Sequence, residues 1–397
     1  MKKKVILAFS GGLDTSYCAL YLSEVKDLEV HSVIVNTGGF SKDELDEIEK
    51  KAQLLGVKEH RSIDMTEDYY KQCIRFLVYG NVLRNNTYPL SVSAERVFQA
   101  MAIATYAKDI DAAYVAHGST GAGNDQIRFD MIFNTMLPGV EILTPIRDQN
   151  LTREEEIQFL KQHRIQMPWQ KLQYSINKGL WGTSVGGKET LTSDQPLPAE
   201  AYPTPVTQTG KTDLEIMFEK GEFKGYNHKI FQNPLDAIKS LNEFAAPWGV
   251  GRDIHVGDTI IGIKGRIGFE AAAAMLIIRA HQALEKHTLH KWQIYWKDQL
   301  ANWYGMHLHE GHYLDPVMRD IETFLESTQN RVNGSVFVSL FNGHFTIEGI
   351  KSPNDLMSSQ FAQYGEVNTS WTGEDARGFA KILANSTRIY RTVNKEK

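Results

Sequence analysis

Short strand-like runs of mostly apolar residues alternate with helical stretches through the first 165 residues, the third run being the polar exception. The runs are Val5–Phe9, Val30–Asn36, Lys58–Ile63, Ala112–Ala116 and Glu141–Ile146, and helical periodicity appears between them at roughly 14–24, 42–55, 66–83 and 93–109. Runs that are apolar on both sides, separated by helices, predict a parallel sheet covered on both faces. Ser41 stands three residues before Glu44, and Thr152 three before Glu155, the spacing of a capping box at a helix start. In such sheets ligands bind at the carboxyl ends of the strands.

The pattern changes after Trp181. The stretch 182–212, rich in Gly, Pro, Thr and Ser, shows neither period and reads as a long loop. Beyond it the sequence predicts a hairpin near 213–231, a helix near 233–246 and a glycine-punctuated strand pair at 253–266. Helices follow at 270–287, 290–303 and 315–330, then a hairpin turning on Asn342-Gly343. This is an α+β arrangement, followed by an amphipathic tail with little core of its own. The expected division is a nucleotide-binding domain at 1–168, a substrate domain at 169–358 and a C-terminal oligomerisation arm at 359–397. Trp292, Trp296 and Trp303 recur at helical spacing and are expected in the core or a subunit interface. His307-x-His309-Glu310-Gly311-His312 lacks the spacing of a zinc helix and reads as a solvated turn.

Composition narrows the classes. The chain has 397 residues, enough for two or three domains, and a net charge of −5, which argues against a nucleic-acid partner. Two cysteines, Cys18 and Cys73, make neither a disulfide framework nor a cysteine zinc site. The longest apolar run, Ala271–Ile278, is too short to span a bilayer, and Met1-Lys2-Lys3-Lys4 leads straight into a strand without the pattern of a signal peptide. The expected location is cytoplasmic, with no membrane partner.

The first candidate site is Ser10-Gly11-Gly12-Leu13-Asp14-Thr15-Ser16, where the first strand ends and the first helix begins. Two glycines let the backbone approach an anion, and a helix N-terminus offers free N–H groups and the positive end of its dipole. Ser10, Thr15 and Ser16 add hydroxyls. Asp14 would repel a bare phosphate, so a magnesium ion is expected between them. Walker and dinucleotide spacings are absent. Ser-Gly-Gly-x-Asp-x-Ser is the motif of the ATP pyrophosphatases, and asparagine, NAD and GMP synthetases and tRNA-sulfurating enzymes carry close variants.

The second site follows the strand Ala112–Ala116. His117-Gly118-Ser119-Thr120-Gly121-Ala122-Gly123-Asn124-Asp125-Gln126-Ile127-Arg128 places a hydroxyl, an amide, a carboxylate and a guanidinium within nine residues. That mixture suits a zwitterionic amino acid, with Arg128 for a carboxylate and Asp125 for an ammonium.

Together these blocks resemble the two signature segments of the argininosuccinate synthase family. Tyr88–Arg96, Tyr174–Asn177 with Leu180-Trp181, Gly249–Arg252, Thr328–Gly334 and the tail 378–390 follow in the family's order. The resemblance implies an adenine-nucleotide alpha-hydrolase-like α/β domain ahead of a synthetase domain. It implies a citrullyl-adenylate formed from ATP, then displacement of AMP by aspartate, with a homotetrameric assembly. By position, Ala8, Phe9, Ser10, Gly11, Gly12, Leu13, Asp14, Thr15, Ser16, Val35 and Gly118 would hold ATP. Thr120, Asn124 and Asp125 would hold aspartate, and Tyr88, Ser93, Asn124, Arg128, Ser175 and Ser184 citrulline. Ser10, Asp14 and Asp125 are the residues expected at the chemistry, Asp14 also as the magnesium ligand.

Four positions depart from the family pattern. Ala122 stands for a Lys, Gly39 for a Gln, and Gly257 and Phe269 for a citrulline-binding Glu and Tyr; Asp258 could replace that Glu if its strand slipped by one residue. Free citrulline is the expected substrate. The alternatives are the same chemistry on an N-acylated citrulline and a tRNA-modifying ATP pyrophosphatase.

Overall fold

The computed structural model describes residues 2–165, 174–358, 361, 364–365 and 370–395. Residues 1–352 form one compact unit and 353–397 another.

Five strands build the first sheet: β1 Lys4–Ala8, β2 Glu29–Asn36, β3 Glu59–Asp64, β4 Tyr114–Ala116 and β5 Glu141–Leu143, in the order β3-β2-β1-β4-β5 and all parallel. Val5, Ile6 and Leu7 are fully buried, as expected of a central strand covered on both faces. One apolar cluster joins Ile6, Val33 and Val35 to the helix Ser93–Asp109, and another joins Val5, Leu7 and Ile34 to the helices Leu13–Leu20 and Lys42–Leu54. Both capping boxes form: Ser41 Oγ accepts from Glu44 N, and Thr152 Oγ1 from Glu155 N. The chain runs outward from β1 through β2 to β3, then returns to the other side of β1 for β4 and β5. That reversal opens a crevice above the carboxyl ends of β1 and β4, where both candidate loops emerge.

The rest of the unit holds two antiparallel sheets. One runs β6 Ser175–Gly179, β7 Gly182–Gly186, β12 Lys264–Glu270 and β11 Arg252–Asp258; the other is built from β8 Lys211–Glu219, β9 Glu222–Tyr226, β10 Lys229–Ile230, β13 Gly334–Phe341 and β14 His344–Lys351. The expected loop at 182–212 therefore opens with a strand, and helical turns follow at Lys188–Leu191 and Ala199–Ala201. Local periodicity could not show β7, because its partners are β6 and the distant β12. Helices Pro234–Ala245, Ala272–Thr288, Lys291–Glu310 and Pro316–Ser327 form where the spacing predicts them. Trp292, Trp296 and Trp303 are not in the core: each is more than half exposed, on the face of Lys291–Glu310 opposite Ala301, Tyr304 and Leu308.

The second unit contains the helices Gly373–Leu383 and Asn385–Val393. Phe379, Ile382, Leu383, Ile389 and Tyr390 are all exposed on them.

Candidate active site

The loop after β1 has the geometry of an anion cradle. Gly11 takes a positive φ of 72°, which a side chain would strain, and Gly12 is the extended N-cap of Leu13–Leu20. Ser16 Oγ donates to Gly12 O at 2.7 Å, and Ser10 Oγ lies 3.3 Å from Thr15 Oγ1 and accepts from Gly12 N at 3.4 Å. Gly118, just past β4, presses on this loop: a Cβ there would sit 3.3 Å from Asp14 C and Thr15 N. The two loops thus share one crevice. Ala8 and Phe9 lead into it, and Val35 lies buried on β2 in the core.

Asp14 faces a residue that sequence reasoning passed over. Glu156, on the helix Arg153–Gln162, is almost fully buried, and its Oε2 has no hydrogen-bond partner. Burial, then the charge of Asp14, push its carboxyl up to about 8. A second acid beneath a phosphate loop is unfavourable unless a cation or a proton relieves it.

A second cluster is centred on Asp125, the first residue of the helix Asp125–Met136. Arg96 Nε donates to Asp125 Oδ2 at 3.1 Å and Arg128 Nη1 to Oδ1 at 2.7 Å. Burial opposes ionisation of Asp125, but the two guanidiniums outweigh it and hold the carboxyl below its usual range. Arg96 also donates to Asn177 Oδ1 at 3.2 Å and to Glu95 Oε1 at 3.0 Å; Arg128 Nε donates to His309 O at 2.7 Å. Glu95 is fully enclosed and accepts from Thr37 Oγ1 at 2.9 Å; burial raises its carboxyl to about 7 against the pull of Arg96. Asn124 Oδ1 accepts from Ile260 N at 2.8 Å, tying this loop to the turn between β11 and β12. Thr120 stands exposed on the loop.

The third group lines the sheet β11-β12-β7-β6. Tyr88 stacks on His255, with ring centroids 5.2 Å apart, and meets Phe269 edge-on at 5.5 Å; its hydroxyl accepts from Val92 N at 3.1 Å. Ser184 is buried on β7 opposite Phe269. Ser93 Oγ is buried without a partner, and Ser175 is exposed at the start of β6. Asp258 does not take the place of Gly257. The β11–β12 register is unbroken, so Asp258 points to the opposite face, where Lys264 Nζ lies 2.6 Å away. His309 is not in a solvated turn but buried against Arg128. The signal for His309 was its place beside Leu308 on the buried side of the helix, and for His255 its alternation with Gly257 along β11.

A parallel sheet with a glycine cradle at its reversal point, flanked by a charged amino-acid-like cluster, defines a nucleotide-binding α/β enzyme. Family models agree: the arginosuccinate synthase N-terminal HUP domain matches residues 4–166, and the arginosuccinate synthase C-terminal domain residues 174–390. The chain is 36% identical to the argininosuccinate synthase of Methanocaldococcus jannaschii, covering all of both chains. It is 36% identical to that of Dictyoglomus thermophilum over 98% of each, and 35% identical to that of Xylella fastidiosa over 99% of this chain and 98% of the relative. The chain belongs to the argininosuccinate synthase family, ATP-using ligases of arginine biosynthesis. Among the described residues no helix is long and apolar enough to cross a membrane.

Proposed function

We propose that the protein joins citrulline to aspartate, cleaving ATP to AMP and pyrophosphate. The observation that carries this reading is the seating of Gly118 on the phosphate loop, because the same segment continues into Asn124, Asp125 and Arg128. A nucleotide and an amino acid held on one continuous segment would meet at the α-phosphate.

In this reading Ala8–Ser16, Val35 and Gly118 hold ATP, with the β- and γ-phosphates on the N–H groups of the loop. Ser10, Thr15 and Asp14 offer hard oxygen donors beside phosphate oxygens, which fits magnesium, and the crowding of Asp14 against Glu156 favours a cation there. When bound, magnesium would neutralise the departing pyrophosphate. Thr120, Asn124 and Asp125 orient aspartate. Tyr88, Ser93, Asn124, Arg128, Ser175 and Ser184 orient citrulline, so that its ureido oxygen attacks the α-phosphate and the aspartate amine then displaces AMP. Arg96 is a positioning residue: it fixes Asp125 and Asn177 together. Catalysis here is positioning and electrostatics, with no covalent enzyme intermediate.

The working assembly is a homotetramer in the cytoplasm, with the exposed apolar faces of the 373–393 helices buried on a second copy. The test is pyrophosphate release with ATP and magnesium. Turnover that needs both a citrulline and aspartate supports the reading; release without either amino acid counts against it.

A further inference from the structure

The sheet β11-β12-β7-β6 has two unlike faces. Toward Tyr88 lie His255, Gly257, Phe269 and Ser184; on the other side Ile254 and Val185 pack against Tyr174, Leu197 and Ala201. In the citrulline reading above, on which this inference rests, the Tyr88 face receives the amino-acid end of the substrate. Its charge is therefore decisive.

Two guanidiniums act on this face. The buried imidazoles His255 and His309 both stay neutral, His255 down at about 4 and His309 at about 2. Burial is the larger cause in each, followed by Arg84 for His255 and by Arg128 and Arg84 for His309. The carboxylates nearest Gly257 among the described residues are engaged or turned away. Asp125 holds Arg96 and Arg128; Glu95 holds Arg96; Glu310 acts on Arg84; Asp258 is on the far face with Lys264. Asp253 shares this face, opposite Phe269 and two residues from His255, whose imidazole it pulls up against Arg84; it is exposed, stands four residues along the strand from Gly257 and accepts from Ile254 N. An α-ammonium placed beside Gly257 would find no carboxylate in direct reach that is not already engaged.

Neutral polar groups are present instead. His255 Nδ1 is buried without a partner in a side chain 6% exposed. Asn85 Nδ2 donates one hydrogen to Val256 O at 3.1 Å and has a second to give. Gly257 makes this arrangement possible, since a Cβ there would lie 2.7 Å from His255 Nε2 and 3.2 Å from Asn85 Nδ2. A neutral amide, with one N–H and one carbonyl, matches this set; an ammonium does not.

We propose that the ureido substrate is a citrulline acylated on its α-nitrogen, with the acyl amide lying against His255, Gly257 and Asn85. The product is then the correspondingly acylated argininosuccinate. Arg84, whose charge acts on His255, suits an acyl group that ends in a second carboxylate.

The experiment is pyrophosphate release with ATP, magnesium and aspartate, comparing citrulline, N-acetylcitrulline and N-succinylcitrulline by kcat/KM. At least one acylated form should exceed citrulline by tenfold or more, and succinyl over acetyl identifies the dicarboxylic acyl class. Asn85→Asp, which supplies a carboxylate beside Gly257 without adding bulk, should narrow that preference tenfold or more. Citrulline equal to or better than both acylated forms overturns this inference and leaves the ligase reading standing. No turnover with any of the three overturns the ligase reading and this inference with it.

Discussion

Arg128 reaches across the crevice to the end of the helix Lys291–Glu310, where its Nε donates to the main-chain carbonyl of His309 at 2.7 Å. Its Nη1 holds Asp125 on the other side, also at 2.7 Å. One buried guanidinium thus joins the start of the helix Asp125–Met136 to the end of the helix Lys291–Glu310, and the fork geometry is what lets it serve both. Arg128→Lys keeps the charge but loses one of the two partners.

Two measurements check this. Chemical denaturation should show a loss of about 2–5 kcal/mol for Arg128→Ala, since Asp125 loses a partner and the His309 carbonyl is left unpaired. Arg128→Lys should lower kcat/KM for the ureido substrate by tenfold or more, about 1.4 kcal/mol. A Lys variant with unchanged kinetics would show that the fork does not matter.

Glu95 sets a pH dependence of the opposite sign to an ordinary paired carboxylate. Its folded value is raised from 4.5 to about 7, so the folded state holds the proton more tightly than the unfolded one. The stability it contributes is complete below about 4.5 and is lost as pH rises through 7, at about 1.4 kcal/mol per pH unit and about 3 kcal/mol in all. Between pH 5 and 8 the wild type should lose stability relative to Glu95→Gln. Parallel curves for the two proteins across that window would remove Glu95 as the cause.

The first sheet was legible because its central strands β1 and β2 are apolar on both sides and its helices carry their own start signals, as Ser41 and Thr152 show. Both candidate loops were legible because residues close in sequence form them. The third group was only half legible. Tyr88 and Ser184 came through resemblance, but His255, Asn85 and His309 meet only when β11, the 84–88 turn and the end of Lys291–Glu310 pack together. No spacing along the chain records such a meeting. The partners of Asp125 were not all legible from its own loop, because Arg96 comes from a helix position 29 residues earlier.

Gly39 has a packing reason to be glycine. A Cβ there would come 2.1 Å from the Lys178 carbonyl on β6, backbone that cannot swing aside. Gly39→Ala should cost about 1–3 kcal/mol by overpacking. Gly123→Ala, with nothing within 4 Å of its Cβ, should stay within about 0.5 kcal/mol. Equal thermal midpoints for the two variants would contradict the close approach of β2's exit to β6.

Asp14 is the carboxylate of the phosphate loop, and its neighbour Glu156 is buried behind it. Asp14→Asn removes the repulsion between the two acids, so the folded protein should be at least as stable as wild type. Pyrophosphate release should nevertheless fall by a factor of about 100 or more, the scale seen when a group that acts on developing charge is removed. The wild type should also need magnesium. Full turnover by a folded Asp14→Asn protein would dismiss the role proposed for this carboxylate.

The helices Gly373–Leu383 and Asn385–Val393 place Phe379, Ile382, Leu383, Ile389 and Tyr390 in the open, each at least 60% exposed. An amphipathic pair of this length gains little from its own contacts, because isolated short helices are marginal in water and draw their stability from burying the apolar face. In a closed symmetric assembly such an arm finds an equivalent site on every copy. The full chain should therefore give a molar mass by light scattering of a multiple of 45.0 kDa, four in the assembly proposed. A chain ending at residue 372 should give a smaller mass and a Tm that falls with dilution. The two-unit division predicts that residues 1–352 keep their fold in the shortened chain. An unchanged mass in the shortened chain, with far-UV circular dichroism intact, would mean that the arm covers no neighbour and that the exposed tryptophans of Lys291–Glu310 carry the assembly instead.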